Sequence, residues 1–397
     1  MGNHGTFKGA NGSTLSIPMK QKTLFALFGL PDKAVDRPAD GRIEVIDLFC
    51  GAGGFSTGAA AAGARILYAS DCDEDALETH RKNHPEAIHS SEALPHNNIP
   101  FPTDGRAFHF HGSPPCQKFS SFNVGRNARR TEGDTEDMEN MIWWFLDTAL
   151  NCGATSWSME EVANKKIVKI VEKFRLKHRD LVDYEEVDMH KLGVPQTRTR
   201  LIAGSPALIA RLRRLCLTQP RRTVASVIAK PRGTHIKNTR HTKARVKRAN
   251  PKPGEAKFTY TRAELSDGCH PINEPSPTVL ANAYNSWITL EKGKAHSRST
   301  VNPLESAALQ TFPPTYIWPE KTEFALRQIG NAVPPLVAEL MLRKGEGNGS
   351  SASNTSASPL PSPPAPTAPT APTAPPAPPR PGKRSRSASP SLLLFPE

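Results

Sequence analysis

The sequence predicts an α/β fold: a doubly wound, mainly parallel sheet with a small inserted region. Three observations predict it. Val45–Phe49 is a short apolar run that leads into Gly51-Ala52-Gly53-Gly54, and an Ala-rich, helix-like stretch, Thr57–Gly63, follows. Arg65–Ala69 is a second short apolar run, so the order reads strand, tight turn, helix, strand, which is a βαβ unit. The texture then repeats, with further apolar runs near Ala107–Phe110, Ser156–Met159 and Leu201–Gly204. A chain of 397 residues can bury a full core and hold two or three structural units.

Taken in order, residues 1–43 read as a polar, Gly-rich lead-in. Its one apolar stretch, Leu24–Leu30, is far too short to span a membrane. Residues 44–205 form the first part of the α/β body, and 274–342 complete it. Between them, 206–273 break the pattern. From Pro206 to Phe258 the chain carries fifteen Lys or Arg against one acid, Glu255, a net +14 beside +13 for the whole chain. One segment therefore holds the entire excess, and the remainder is close to neutral. Charge concentrated on an insertion suits a polyanionic partner; a solvated basic loop of non-specific affinity is the plainer reading.

Residues 343–397 are rich in Ser, Pro, Ala and Thr, including the near-repeat Ala-Pro-Thr-Ala-Pro-Thr. Such a segment buries too little surface to offset chain entropy, and a disordered, polyproline-like tail is expected. Lys383-Arg384-Ser385-Arg386 within it reads equally as a nuclear-import or nucleic-acid patch and as solvated tail. The six cysteines (Cys50, Cys72, Cys116, Cys152, Cys216, Cys269) include no CxxC pair, which argues against a zinc site or disulfide framework and for a reducing compartment.

Gly112-Ser113-Pro114-Pro115-Cys116-Gln117 places one of these cysteines at the head of a rigid loop, directly after an apolar run. The Pro-Pro pair fixes φ and removes backbone donors, so the thiol is held where it points. A positioned, partly exposed sulfur is a candidate nucleophile, whereas taken alone the same motif could be a tight turn with a buried Cys. At the end of the first strand, Asp47-Leu48-Phe49-Cys50-Gly51-Ala52-Gly53-Gly54-Phe55 offers glycines that let a ligand approach the backbone, beside a helix N-terminus. Asp71, at the tip of the second strand, is placed to accept hydrogen bonds from a ribose, or to cap the helix expected over Glu74–Lys82.

Together these segments resemble the DNA cytosine-5 methyltransferase family. The chain shows, in order, Asp47–Gly54, Gly112–Ser120, Met159-Glu160-Glu161-Val162, Gln196-Thr197-Arg198-Thr199-Arg200, Leu309-Gln310-Thr311-Phe312-Pro313 preceded by Glu305, and Gly330-Asn331-Ala332-Val333-Pro334-Pro335. Six motifs collinear with the family cover about Glu44 to Leu342, and the variable target-recognition region falls on the basic insertion. The resemblance implies a Rossmann-like S-adenosylmethionine-dependent methyltransferase. It implies that Cys116 adds to C6 of cytosine, that Glu160 holds N3 and the exocyclic amine, and that Arg200, with Arg198, holds the base carbonyl and adjacent phosphate. Because Arg198 and Arg200 alternate along an extended run, both are expected on one face. The resemblance places Phe49, Gly51, Ala52, Gly53, Gly54, Asp71 and Cys72 around S-adenosylmethionine, with Asn331 arriving from the far end of the chain. That requires the C-terminal part to fold back onto the first βαβ units.

The implied partner is double-stranded DNA with the target base flipped, acted on by a monomer with no membrane and no metal. The related group that methylates cytosine in transfer RNA is disfavoured by the lack of a Cys-Phe-Thr tripeptide in the recognition region. A silent DNA-binding relative would have no reason to keep Cys116, Glu160, Arg198 and Arg200 together. Two departures stand out. Glu161 replaces the family's Asn, and an ionised carboxylate accepts hydrogen bonds without donating them. The acid that the family places near the adenine has no clear counterpart around His89–Leu94.

Overall fold

In the computed structural model, β1 (Glu44–Leu48) is buried along its whole length, as a central strand covered on both faces must be. It pairs in parallel with β2 (Arg65–Ser70) on one side and β4 (Phe108–Gly112) on the other. The structure describes residues 6–8, 14–16, 41–115, 132–228, 256–260, 269–281, 285–291 and 294–343. The chain divides into two compact units, Met1–Gly345 and Glu346–Glu397, and the second, with the expected disordered tail, lies outside the described residues.

Between β1 and β2 runs α1 (Gly54–Ala61); α2 (Glu74–Asn83) leads to β3 (Ile88–Ser90), which pairs in parallel with β2. After β4 come α3 (Glu132–Asn151), β5 (Ser156–Val162), α4 (Lys165–Lys177), β6 (Asp183–Asp188), β7 (Thr199–Gly204) and α5 (Pro206–Thr218). The sheet order is β3-β2-β1-β4-β5-β7-β6. Only β7 runs antiparallel, inserted between β5 and β6. The strand order reverses between β1 and β4, so the loops leaving their C-terminal ends flank the crevice where ligands bind open α/β sheets.

The two faces carry separate cores. Ile46, Leu48, Phe108 and Phe110 pack on one face with Phe145 of α3 and Ile167 and Val171 of α4. Val45, Ile66 and Ile202 pack on the other with Phe55 of α1 and Leu208, Ile209 and Leu212 of α5. Of the C-terminal helices α6 (Pro303–Leu309), α7 (Thr322–Asn331) and α8 (Pro335–Leu342), α8 completes the second face with Val337, Leu340 and Met341, while α6 and α7 bury Ala307, Leu309, Ala325 and Ile329 in a third cluster. The small residues of α1 explain how: a Cβ at Gly54 would collide with the Val333 carbonyl, and one at Gly58 with that of Pro335. Two hydrogens in place of side chains let backbone touch backbone, and residues 331–335 reach the loop after β1. α6 opens with a capping box, the Asn302 side chain accepting from Glu305 N and Glu305 from Asn302 N.

A second, four-stranded antiparallel sheet is formed by β8 (Ala256–Tyr260), β9 (Cys269–Pro271), β10 (Asn285–Glu291) and β11 (Lys294–Thr300), in the order β9-β8-β10-β11. Both expected boundaries of the insertion move. At 206 the division comes one helix early, because α5 buries Leu208, Ile209 and Leu212 in the body while Arg211, Arg213 and Arg214 ride its outer side. At 273 it comes too soon, because the small sheet continues to Thr300, interrupted by Ser276–Pro277 pairing with Gln196–Thr197. Charge marked the region; packing sets its edges. Among the described residues no helix is long and apolar enough to cross a membrane.

Candidate active site

The loop after β1 is shaped by three left-handed residues, Phe49 (φ 56°), Gly51 (φ 52°) and Gly53 (φ 91°). Gly51 and Gly53 take this backbone without strain; Phe49 does not, and such outliers gather at functional sites. Asp71 fixes the loop from the tip of β2: its carboxylate accepts from Gly51 N (2.8 Å) and from Asp73 N (2.8 Å). Burial pushes the Asp71 carboxyl up, and those two N–H donors oppose the shift. The cap of α2 is Asp73, which accepts from Ala76 N at 3.2 Å, so the capping role considered for Asp71 belongs to Asp73.

The loop is open above and closed below. A Cβ at Gly51 would meet no atom within 4 Å, whereas one at Gly53 would lie 2.8 Å from Tyr316 Oη and 2.9 Å from His80 Cδ2. A backbone cradle with one free side suits a ligand that lies against main chain. Ala52 and Gly54 are buried in its floor, and Cys72 sits exposed beside Asp71, its thiol pushed up by partial burial and that carboxylate. Asn331 ends α7, exposed on the C-terminal segment that docks against α1.

The Pro-Pro loop starts next door. Leu48 is the register partner of Gly112, and Ser113 N donates to the Leu48 carbonyl at 3.2 Å. Gly112 has no room for a side chain, because a Cβ there would strike the Phe145 ring. Pro114 and Pro115 continue the loop; Cys116 lies outside the described residues.

Glu160 follows Met159, the register partner of Gly112, and so stands at the mouth of the same crevice. Across the sheet, Ile202 is opposite Glu160 and Arg200 opposite Val162, a diagonal that brings the two side chains together. Arg200 Nε lies 3.0 Å from Glu160 Oε1, with side chains 16% and 10% exposed. Glu161 turns away: 1% exposed, it accepts from Val162 N at 2.8 Å.

Arg198 does not join Arg200. It is 2% exposed, and its guanidinium donates to the carbonyls of Val279 (3.3 Å), Gly330 (3.2 Å) and Ala332 (3.2 Å). The expected shared face fails because Arg198 sits at the gap between two strand segments and turns its side chain into the C-terminal part. Gln196 and Gln310 extend this junction, Gln196 donating to the Leu309 carbonyl (2.9 Å) and Gln310 to that of Ile329 (2.7 Å). Two of the bonded carbonyls flank Asn331. Arg198 is thus placed to hold the segment that carries Asn331.

Beneath both loops lies buried polar chemistry that sequence reasoning missed. Ser56 Oγ donates to Asp47 Oδ2 (2.7 Å), His80 Nε2 meets Ser56 Oγ (3.0 Å), and His80 Nδ1 meets His89 Nε2 (2.9 Å). Since the Ser56 proton is used on Asp47, His80 donates through Nε2 and His89 donates to His80. A second chain links Ser156, His109, Ser158, His111 and Ser113, with Phe55 stacked on His111 at 3.5 Å between centroids. Desolvation lowers His109 to about 3 and holds His80 and His111 well below the ordinary value. It also pushes Asp47 up to about 7. The available signal was His109-Phe110-His111: at strand period, the histidines alternate with buried phenylalanines and so share one face.

Known proteins resemble this chain over most of its length. The C-5 cytosine-specific DNA methylase family model matches residues 43–345. The Type II methyltransferase M.HgiDI of Herpetosiphon aurantiacus is 26% identical over 74% of this chain and 90% of its own length. M.HindV of Haemophilus influenzae is 26% identical over 75% and 95%. M.AgeI of Thalassovita gelatinovora is 36% identical over a shorter stretch, 21% of each chain. Among solved structures, a prophage-encoded protein of E. coli described as a DNA modification methyltransferase superposes with a TM-score of 0.52 at 22% identity, covering 76% of this chain and 97% of that one. The S. pombe Dnmt2 methyltransferase has the same fold at a TM-score of 0.52 and 14% identity, with 76% and 97% covered. The chain belongs to the C-5 cytosine-specific DNA methylase family.

Proposed function

We propose that this chain transfers a methyl group from S-adenosylmethionine to C5 of cytosine in double-stranded DNA, through a covalent Cys116 adduct on a base flipped into the crevice. The observation that carries this reading is the Glu160–Arg200 pair, 3.0 Å apart at the crevice mouth where the glycine loop and the Pro-Pro-Cys loop leave adjacent strands.

The one-sided glycine cradle, with Asp71 clamping Gly51 N and open space above Gly51, fits the cofactor. Phe49, Gly51, Ala52, Gly53, Gly54, Asp71, Cys72 and Asn331 would hold it, the last fixed through Arg198. When bound, S-adenosylmethionine supplies an electrophilic methyl group, which C5 takes up. The Cys116 thiolate forms the S–C6 bond, and the ring electrons it displaces make C5 nucleophilic. Glu160 holds a proton at N3, neutralising charge that develops on the ring, while Arg200 orients Glu160 and the base carbonyl. Water takes the C5 proton, its bonding pair restores the C5=C6 double bond, and the S–C6 pair returns to sulfur as the enzyme thiolate. Flipping the base costs a few kcal/mol, offset by these contacts and by phosphate contacts from the basic region. The curated relatives named above are Type II methyltransferases, which supports DNA as the substrate.

Glu160→Gln tests the assignment. It keeps the size of the side chain and one acceptor but cannot hold the proton, so kcat is expected to fall roughly 10²- to 10⁴-fold. Affinity for S-adenosylhomocysteine should stay within about twofold, because Glu160 lies outside the glycine cradle. An unchanged kcat would remove Glu160 from the mechanism.

A further inference from the structure

Tyr316 belongs to the segment that follows α6, downstream of the small sheet. The segment turns sharply, with Thr311 left-handed (φ 69°) and Tyr316 N donating to the Pro313 carbonyl at 3.1 Å. The Tyr316 ring packs against Phe312 and Trp318, at 4.7 and 4.8 Å between centroids. Its hydroxyl crosses to the first βαβ unit and donates to the Ala52 carbonyl, in the floor of the glycine cradle. The next carbonyl, that of Gly53, accepts from Thr57 Oγ1 at 2.6 Å, and Thr57 meets His84 Nε2 at 3.1 Å. Burial pushes the phenol up, so it remains a donor across the working range.

We propose that Tyr316 is a positioning residue for the cofactor, its hydroxyl holding the Ala52 carbonyl and so the shape of the Gly51–Gly53 turn. The proposal rests on the reading of that turn as the cofactor cradle. A phenylalanine would fill the same apolar space between Phe312 and Trp318, so ring packing alone does not require the hydroxyl. Without it, the Ala52 carbonyl has no buried donor, and in the free protein the turn relaxes to expose it to water. Binding must then restore the turn, and the cost appears in affinity rather than in folding. A second anchor between the same two parts makes the contrast measurable. Asn83 exchanges two hydrogen bonds with the Ile317 backbone, both 2.9 Å, and its other bond goes to the Thr79 carbonyl within α2.

The test is calorimetric binding of S-adenosylhomocysteine to the full chain. Tyr316→Phe is expected to weaken binding roughly tenfold, and to raise KM for the cofactor with kcat at saturation retained. Asn83→Ala, which loosens the docking without touching the turn, should stay within about twofold of wild type. Thr57→Val strips the hydroxyl from the Gly53 carbonyl and should weaken binding in the same direction, which keeps the test open if Tyr316→Phe does not accumulate as folded protein. Wild-type affinity in Tyr316→Phe, or equal weakening in Asn83→Ala, would overturn the proposal. Failure of the wild-type chain to bind S-adenosylhomocysteine would sink the cofactor reading itself, and this inference with it.

Discussion

Replacing Cys116 by serine is expected to lower methyl transfer to below about a thousandth of the wild-type rate, with S-adenosylhomocysteine and DNA still bound. A thiol reaches its reactive anion near neutral pH with modest help from its surroundings. A serine hydroxyl needs a positioned base. The described groups nearest the start of the loop are already engaged: His111 with Ser158 and Ser113, Glu160 with Arg200. The variant therefore keeps the shape of the site and loses its nucleophile. Single-turnover transfer measures this directly. A serine variant within about tenfold of wild type would end the case for covalent catalysis by this residue.

The second large effect is on stability. His80, His84, His109 and His111 all sit below the ordinary histidine value because burial disfavours the imidazolium, His84 at about 4 and His109 at about 3. For a histidine lowered in the folded state, stability is present above the unfolded value of 6.5 and is lost as pH falls toward the folded value. At about 1.4 kcal/mol per pH unit, His84 and His109 alone put roughly 3 and 5 kcal/mol at stake, an order-of-magnitude figure comparable with the whole stability of a domain. Asp47 and Asp71 work in the opposite sense. Burial raises both, so their contribution is complete below the ordinary 3.8 and fades as pH rises, for Asp47 through about 7. The lowered imidazoles outnumber the raised carboxyls, so acid unfolding below pH 6.5 is expected to take up protons net, with stability rising from acid pH and levelling off above about pH 7. Denaturant midpoints measured between pH 5 and 7.5 give the slope. Flat stability down to about pH 5 would contradict the buried, neutral state of these histidines.

Much of this architecture can be read from the residues. Short apolar runs marked β1, β2, β4, β5 and β7, because a sheet covered on both faces needs apolar residues in succession. β6 left no such mark: Asp183-Tyr184-Glu185-Glu186-Val187-Asp188 is an edge strand with only Val187 buried. α5 was concealed by its arginines, which on an amphipathic helix say nothing of the buried side. The candidate site was legible where backbone dictates residue type, as in the left-handed Gly51 and Gly53. It was not legible where a long side chain chooses among partners. Arg198 and Arg200 look equivalent in sequence, yet one pairs with Glu160 and the other bonds carbonyls of the C-terminal part. Tyr316 was invisible for the same reason, its partner Ala52 standing 264 residues away.

The central claim, cytosine-5 methylation of DNA, is tested most directly by transfer of labelled methyl from S-adenosylmethionine to mixed-sequence DNA, with bulk transfer RNA alongside. The products are mapped at base resolution. The account predicts label at C5 of cytosine in DNA, confined to a short recurring sequence context, and none in RNA. Label confined to transfer RNA, or no label in either while DNA is still bound, would contradict it.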